Sequence, residues 1–129
     1  MGYDAEVTTT TSTSYMAMTS SNYTSYFDVT NSTYGFIIGS DNYWKANNTG
    51  RNSTTATTTW TCKYSGTYVL EYSYVTEQNY DKVTLTTTDT SASNTTTHLS
   101  AVSGSSSGSV TVYLDANDTI VMTYSKDRS

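Results

Sequence analysis

With 129 residues and 14.1 kDa the chain is long enough for one domain around a single modest core. A net charge of −5 and an isoelectric point near 4.4 exclude the basic footprint that nucleic acids and anionic membranes require. Only 13% of residues are charged and Cys62 stands alone, so hydroxyls and amides carry solubility and no internal disulfide can form.

Thirteen tyrosines among abundant threonine, with few of the strongest helix formers, argue against simple disorder and indicate an all-β chain. The first residues are Thr-rich and without periodicity, so residues 1–14 are expected as a polar N-terminal arm and residues 15–129 as a single β-sandwich domain. Neither a basic n-region nor an apolar h-region is visible there, and no run approaches the roughly 18 apolar residues of a membrane helix. Short strands are expected at residues 14–18, 26–29 and 34–38, followed by a long loop over 39–54, dense in Asn, Gly and Ser. From Ala56 the pattern sharpens. Ala56, Thr58, Trp60, Cys62 and Tyr64 alternate with Thr and Lys, and beyond Ser65 and Gly66 the residues Tyr68, Leu70, Tyr72 and Tyr74 alternate again. Two alternating runs about a two-residue connection predict a β-hairpin.

Further on, residues 82–87 point Val83 and Leu85 inward, and residues 89–108 read mostly as loop with a short strand near His98. Residues 109–114 align Val110, Val112 and Leu114, and residues 119–124 align Ile120, Met122 and Tyr124. Between them residues 115–118 read as a hairpin turn, because Asp and Asn tolerate turn conformations. About eight short strands without a helical segment predict an antiparallel β-sandwich of jelly-roll type. Nothing after Ser129 can pair with the last strand, so it is expected as an edge covered by the N-terminal arm or a neighbouring subunit.

Reactive chemistry finds few candidates. Residues 104–108 fit G-x-S-x-G with Ser106 in the centre, but that motif needs a strained strand-to-helix turn, and a flexible Ser/Gly loop is expected instead. His98 is the only histidine, which excludes a His-based metal cluster, and Cys62 sits on an inward face as an unreactive thiol. In residues 115–119 Thr119 and Ile120 stand where an EF-hand needs a third ligand and a glycine, so that loop is excluded. Glu77 and Asp81 form the best carboxylate pair, the minimum a glycosidase requires. Their structural alternative makes Asp81 a clamp on backbone N–H groups, with Lys82 as the neighbouring charge and Tyr80 as a packing anchor. Calcium is the one cofactor the pattern admits, with Glu77, Asn79 and Asp81 as oxygen ligands joined by Asp127. Tyr43 and Trp44 suggest a glycan-stacking platform; the alternative folds Trp44 back to plug the end of the sandwich. Both readings stand at this point.

Three stretches carry a resemblance: YWKANNTGRNSTTA (43–56), TEQNYDK (76–82) and YSKDRS (124–129). Together they resemble a jelly-roll-type domain of virion, tail and head proteins of phages and prophages of gut bacteria, which also occurs in surface proteins of their hosts. The match covers roughly residues 34–129, and Thr76 stands where the pattern has Ser, keeping the hydroxyl. The pattern continues past its last motif into another strand, which again implies completion by the arm or another subunit. The resemblance implies a structural or receptor-facing module and carries no catalytic residues. The function expected is therefore that of a non-enzymatic phage virion structural protein, assembled in the host cytoplasm as a homo-oligomer or with other virion proteins, and touching host surface glycans. The alternative expectation is a carbohydrate-binding module of a bacterial extracellular protein.

Overall fold

The computed structural model describes residues 3–11 and 14–127, with side chains from residue 17 onward. Eleven strands follow one another: β1 (Tyr3–Thr11), β2 (Ser14–Ala17), β3 (Phe27–Asn31), β4 (Phe36–Ile38), β5 (Trp44–Ala46), β6 (Thr55–Cys62), β7 (Gly66–Val75), β8 (Lys82–Asp89), β9 (Asn94–Val102), β10 (Ser105–Leu114) and β11 (Thr119–Ser125). A single 3-10 turn, Tyr23–Ser25, leads into β3. One sheet runs β10-β7-β1-β5-β4, with β2 also paired to β1, and the other runs β3-β6-β11-β8-β9. Every strand pair is antiparallel, and the fold is a β-sandwich of jelly-roll type.

Alternation builds the core. On β6 the buried residues are Ala56, Thr58, Trp60 and Cys62, and on β11 they are Ile120, Met122 and Tyr124. Their counterparts on the facing sheet are Phe36, Trp44, Tyr68, Leu70 and Leu114. Aromatic rings bridge the two layers: Trp44 meets Trp60 edge-on at 5.3 Å between centroids, and Phe27 lies 5.6 Å from Tyr68.

Several expectations are corrected by this topology. Ser65 and Gly66 do not make a hairpin: β6 and β7 lie in opposite sheets, and their connection crosses the sandwich. The tight two-residue hairpin turns need positive φ at their first central position, which neither Ser65 nor Gly66 adopts. Residues 115–118 make a second crossing of the same kind, from β10 to β11. The two crossings are tied together, Cys62 donating its N–H to Asp118 O at 2.8 Å and accepting the Asn117 N–H at 2.7 Å. Asp118 closes the second one from beneath, its buried carboxylate accepting the N–H groups of Asp115 (2.8 Å) and Thr90 (3.1 Å).

The last strand is no edge. β11 lies in the middle of its sheet, hydrogen-bonded to β6 on one side and β8 on the other. The stretch expected as an arm is largely β1, which lies inside the other sheet and pairs with β7 from Tyr3↔Tyr74 to Thr10↔Thr67. Within the stretch expected as a loop over 39–54 the chain forms β5, and most of the Ser-rich run near Ser106 belongs to β10.

Candidate functional site

The corner after β7 is built on local hydrogen bonds. The Tyr80 and Asp81 N–H groups both donate to Glu77 O, at 3.2 and 3.0 Å, and Asn79 closes the turn at φ +70° with its N–H on Ser103 Oγ. Buried Thr76 fastens this corner to the β9–β10 turn. Its hydroxyl accepts the Gly104 N–H at 2.9 Å and donates to Asp81 O, while its own N–H donates to Gly104 O at 2.7 Å. Gly104 sits at φ +92°, where a side chain would be strained.

Asp81 then turns inward and is 1% exposed. Its Oδ1 accepts the Asp127 N–H at 3.1 Å, and its Oδ2 accepts the Lys126 ammonium at 3.3 Å and the Tyr124 hydroxyl at 3.2 Å. Burial alone raises its pKa, but these three donors together outweigh burial and hold the carboxyl below the ordinary value. Burial and the facing Asp81 charge push the Tyr124 phenol well above its usual range. The expected clamp is therefore present, with different neighbours. Lys126, not Lys82, supplies the charge, and Tyr80 is 61% exposed, so it anchors nothing in the core. Lys126 was readable from the pattern: Ile120, Met122, Tyr124 and Lys126 continue one period of two, and a charge at an inward position demands a buried partner.

Of the residues proposed for calcium, Glu77, Asp81 and Asp127 do come together, each offering an oxygen within 4.8 Å of the others. Asn79 contributes a turn conformation and lies exposed. A cation at these oxygens would stand against the Lys126 ammonium, so the chain itself already supplies the positive charge that Asp81 requires.

The same corner joins the other two quoted stretches. Asn48, fully buried, donates through Nδ2 to Tyr124 O at 3.2 Å, the Ser53 N–H donates to Asp127 O at 2.7 Å, and the Lys126 N–H donates to Thr54 O at 2.8 Å. Residues 43–56, 76–82 and 124–127 thus meet in one hydrogen-bonded knot. Comparison with known proteins returns no matching family model, no matching curated protein and no matching solved structure. The reading of the site therefore rests on its own geometry.

Tyr43 and Trp44 part company. Trp44 opens β5 facing inward, is 3% exposed and stands edge-on to both Tyr23 (5.0 Å) and Trp60, so it is a core plug and offers no ring to a ligand. Tyr43, one residue earlier, falls on the opposite face and is 42% exposed. It borders an open groove of about 430 Å³ lined also by Glu71, Tyr72, Ser73, Ser107, Gly108 and Ser109. The cross-strand pairs Glu71↔Ser109 and Ser73↔Ser107 set a carboxylate and three hydroxyls along this groove. Gly108 faces Tyr72 across the same ladder, and a Cβ there would come within 2.7 Å of the Tyr72 hydroxyl, so the missing side chain lets that ring lie across the strand.

The remaining reactive groups are spoken for. His98 lies half-buried on β9 with Nε2 2.7 Å from the Thr87 hydroxyl, and burial lowers its pKa. Ser106 is paired with Tyr74 inside a regular ladder, with none of the strained turn a nucleophile elbow needs. Cys62 is 1% exposed; burial pushes its thiol up to about 11, against a smaller opposing pull from the Tyr68 hydroxyl. Native protein should therefore resist thiol-specific reagents at neutral pH, reacting at least about 10³-fold more slowly than the denatured chain. Labelling at comparable rates in both states would show that the β6–β7 crossing opens readily.

Proposed function

We propose that the chain is a non-enzymatic structural module of a phage virion, decorating a tail or head, whose β10-β7-β1-β5-β4 sheet contacts neutral saccharides of the host surface. The groove beside Tyr43 carries this reading. An exposed ring offers a flat apolar face to the C–H side of a sugar, and Glu71 with its neighbouring serines offers acceptors and donors to sugar hydroxyls. The carboxylate disfavours anionic sugars, hence the neutral class. Support against catalysis comes from the commitments of Asp81, His98 and Cys62, and support for a virion setting comes from the resemblance. A carbohydrate-binding module of a bacterial extracellular protein remains the second reading, since the same groove would serve it.

A glycan array followed by titration tests the proposal. Wild type should bind neutral saccharides, and Tyr43→Ala should weaken binding about tenfold or more while keeping the fold. Binding untouched by Tyr43→Ala, or no neutral saccharide bound, would sink the groove. Binding of the same strength by an isolated monomer favours the second reading.

A further inference from the structure

We propose that β10 is the surface through which the chain pairs with a second copy of itself, antiparallel about a two-fold axis, so that two sheets join into one. The inference comes from comparing the free edges. Among the described residues, five strands have one unpaired side: β2, β3, β4, β9 and β10. Soluble β-proteins blunt such edges by shortness, charge or bulges. Strands β2 and β4 are short, with four and three residues. Strand β3 carries Asp28, whose side chain is 76% exposed beside Lys63 at 3.7 Å. Strand β9 is broken by two register shifts and by Ala101 at φ +48°.

Strand β10 has none of these devices. It runs ten residues in unbroken register from Ser105↔Val75 to Leu114↔Gly66, without a charge, a proline or a positive φ. Alternation turns the N–H and C=O of about five of those residues away from β7 and toward solvent. Outward on the same strand stand Ser107, Ser109, Thr111 and Tyr113, the last 63% exposed.

The occupant must bring an equally long, unguarded edge, and another β10 is one. Self-pairing meets no like charge in the seam, although the chain carries a net charge of −5. The first carboxylate inward is Glu71 on β7, and across a β7-β10-β10-β7 seam two such groups lie about 14 Å apart, beyond the screening length of about 8 Å. A two-fold contact uses both β10 edges at once, and the guarded remaining edges stop the sheet from growing further. Tyr113 and Thr111 then become members of cross-strand pairs rather than solvent-facing side chains. The axis stands perpendicular to the sheet, so both Tyr43 grooves face the same way and can engage one surface together.

This deepens the assembly part of the proposed function, and the two can fail separately. Light scattering on a size-exclusion column, over a range of concentrations, should give twice the chain mass for wild type. Ser109→Lys combined with Thr111→Lys should give a single chain mass with an unchanged near-ultraviolet spectrum. Mixing that chain with one carrying Ser109→Glu and Thr111→Glu should restore the doubled mass. Independently of any variant, hydrogen exchange on wild type should slow at alternate β10 amides as the protein is concentrated, by about tenfold or more. A wild type of single-chain mass at every concentration overturns the pairing. So does a doubled mass that survives the lysine pair, or β10 exchange indifferent to concentration. Saccharide binding is read on wild type and on Tyr43→Ala, whose β10 is untouched, because Ser109 also lines the groove; that comparison scores the groove alone.

Discussion

Asp81→Ala should lower stability at neutral pH by about 3–5 kcal/mol, a large part of what a domain of this size possesses. The cost comes less from the lost attraction than from what stays behind: a Lys126 ammonium 8% exposed, a Tyr124 hydroxyl and an Asp127 N–H, all facing a vanished acceptor. The pH dependence has a definite sign. The folded pKa of Asp81 is depressed, so its stabilisation is fully present above the ordinary aspartate pKa and is lost as pH falls through the folded value. Urea titrations should therefore show wild type and Asp81→Ala far apart at pH 7 and drawing together below about pH 4. A gap of the same size at pH 7 and at strongly acid pH would mean that packing, not charge, carries the effect. Lys126→Met should be severe alone and largely relieved when combined with Asp81→Leu, because a buried pair exchanged for apolar groups need not cost stability.

Trp44→Ala should cost about 3–5 kcal/mol, whereas Tyr43→Ala should stay within about 0.5 kcal/mol. The two side chains are sequence neighbours, Tyr43 just before β5 and Trp44 opening it, one exposed and one buried, so the comparison isolates burial from local sequence. Trp44 touches Tyr23 and Trp60 edge-on, and truncation removes the ring that links the two sheets at that point. Trp44→Phe should be much milder than alanine, since the buried indole Nε1 has no hydrogen-bond partner among the described residues. Thermal melts with saccharide titration would measure both axes. The expected pattern is a destabilised Trp44→Ala beside a stable Tyr43→Ala that no longer binds. A Tyr43→Ala that melts as early as Trp44→Ala would show that the ring is structural after all.

Much of this fold is legible in the chain because a pleat with one buried face forces alternation, and β6, β7 and β11 obey it residue by residue. Alternation says which side of a strand is buried and nothing about which strand lies beside it. That is why a run, a short connection and another run suggested a hairpin where the chain in fact crosses the sandwich. The discriminating signal was in the turn: neither Asn-Gly nor Asp-Gly links β6 to β7, and Ser65 is a poor first residue for a turn needing positive φ. Strand β5 was hidden for another reason. Three residues hold too little period to stand out from surrounding Asn and Gly, and only the apolar pair of Trp44 and Ala46 around Lys45 marks it. The clamp on Asp81 is legible from its place in a polar corner, but its partners come from 43 to 46 residues downstream and no local rule connects them. The inward position of Lys126 in the period of β11 is a local mark of that buried pair.

The central position of β11 governs how this molecule comes into being. Strands β6 and β8 flank it and do not touch each other in the ladder, so the β3-β6-β11-β8-β9 sheet has no middle until residues 119–125 are present. In the other sheet β1 must wait for β7, with Tyr3 meeting Tyr74. The apolar faces of β6 and β8 therefore lack their central neighbour until β11 docks, whereas β1, β4, β5 and β7 of the facing sheet all lie before residue 76. Folding is expected to be slow, governed by the closure of long loops rather than by local turns.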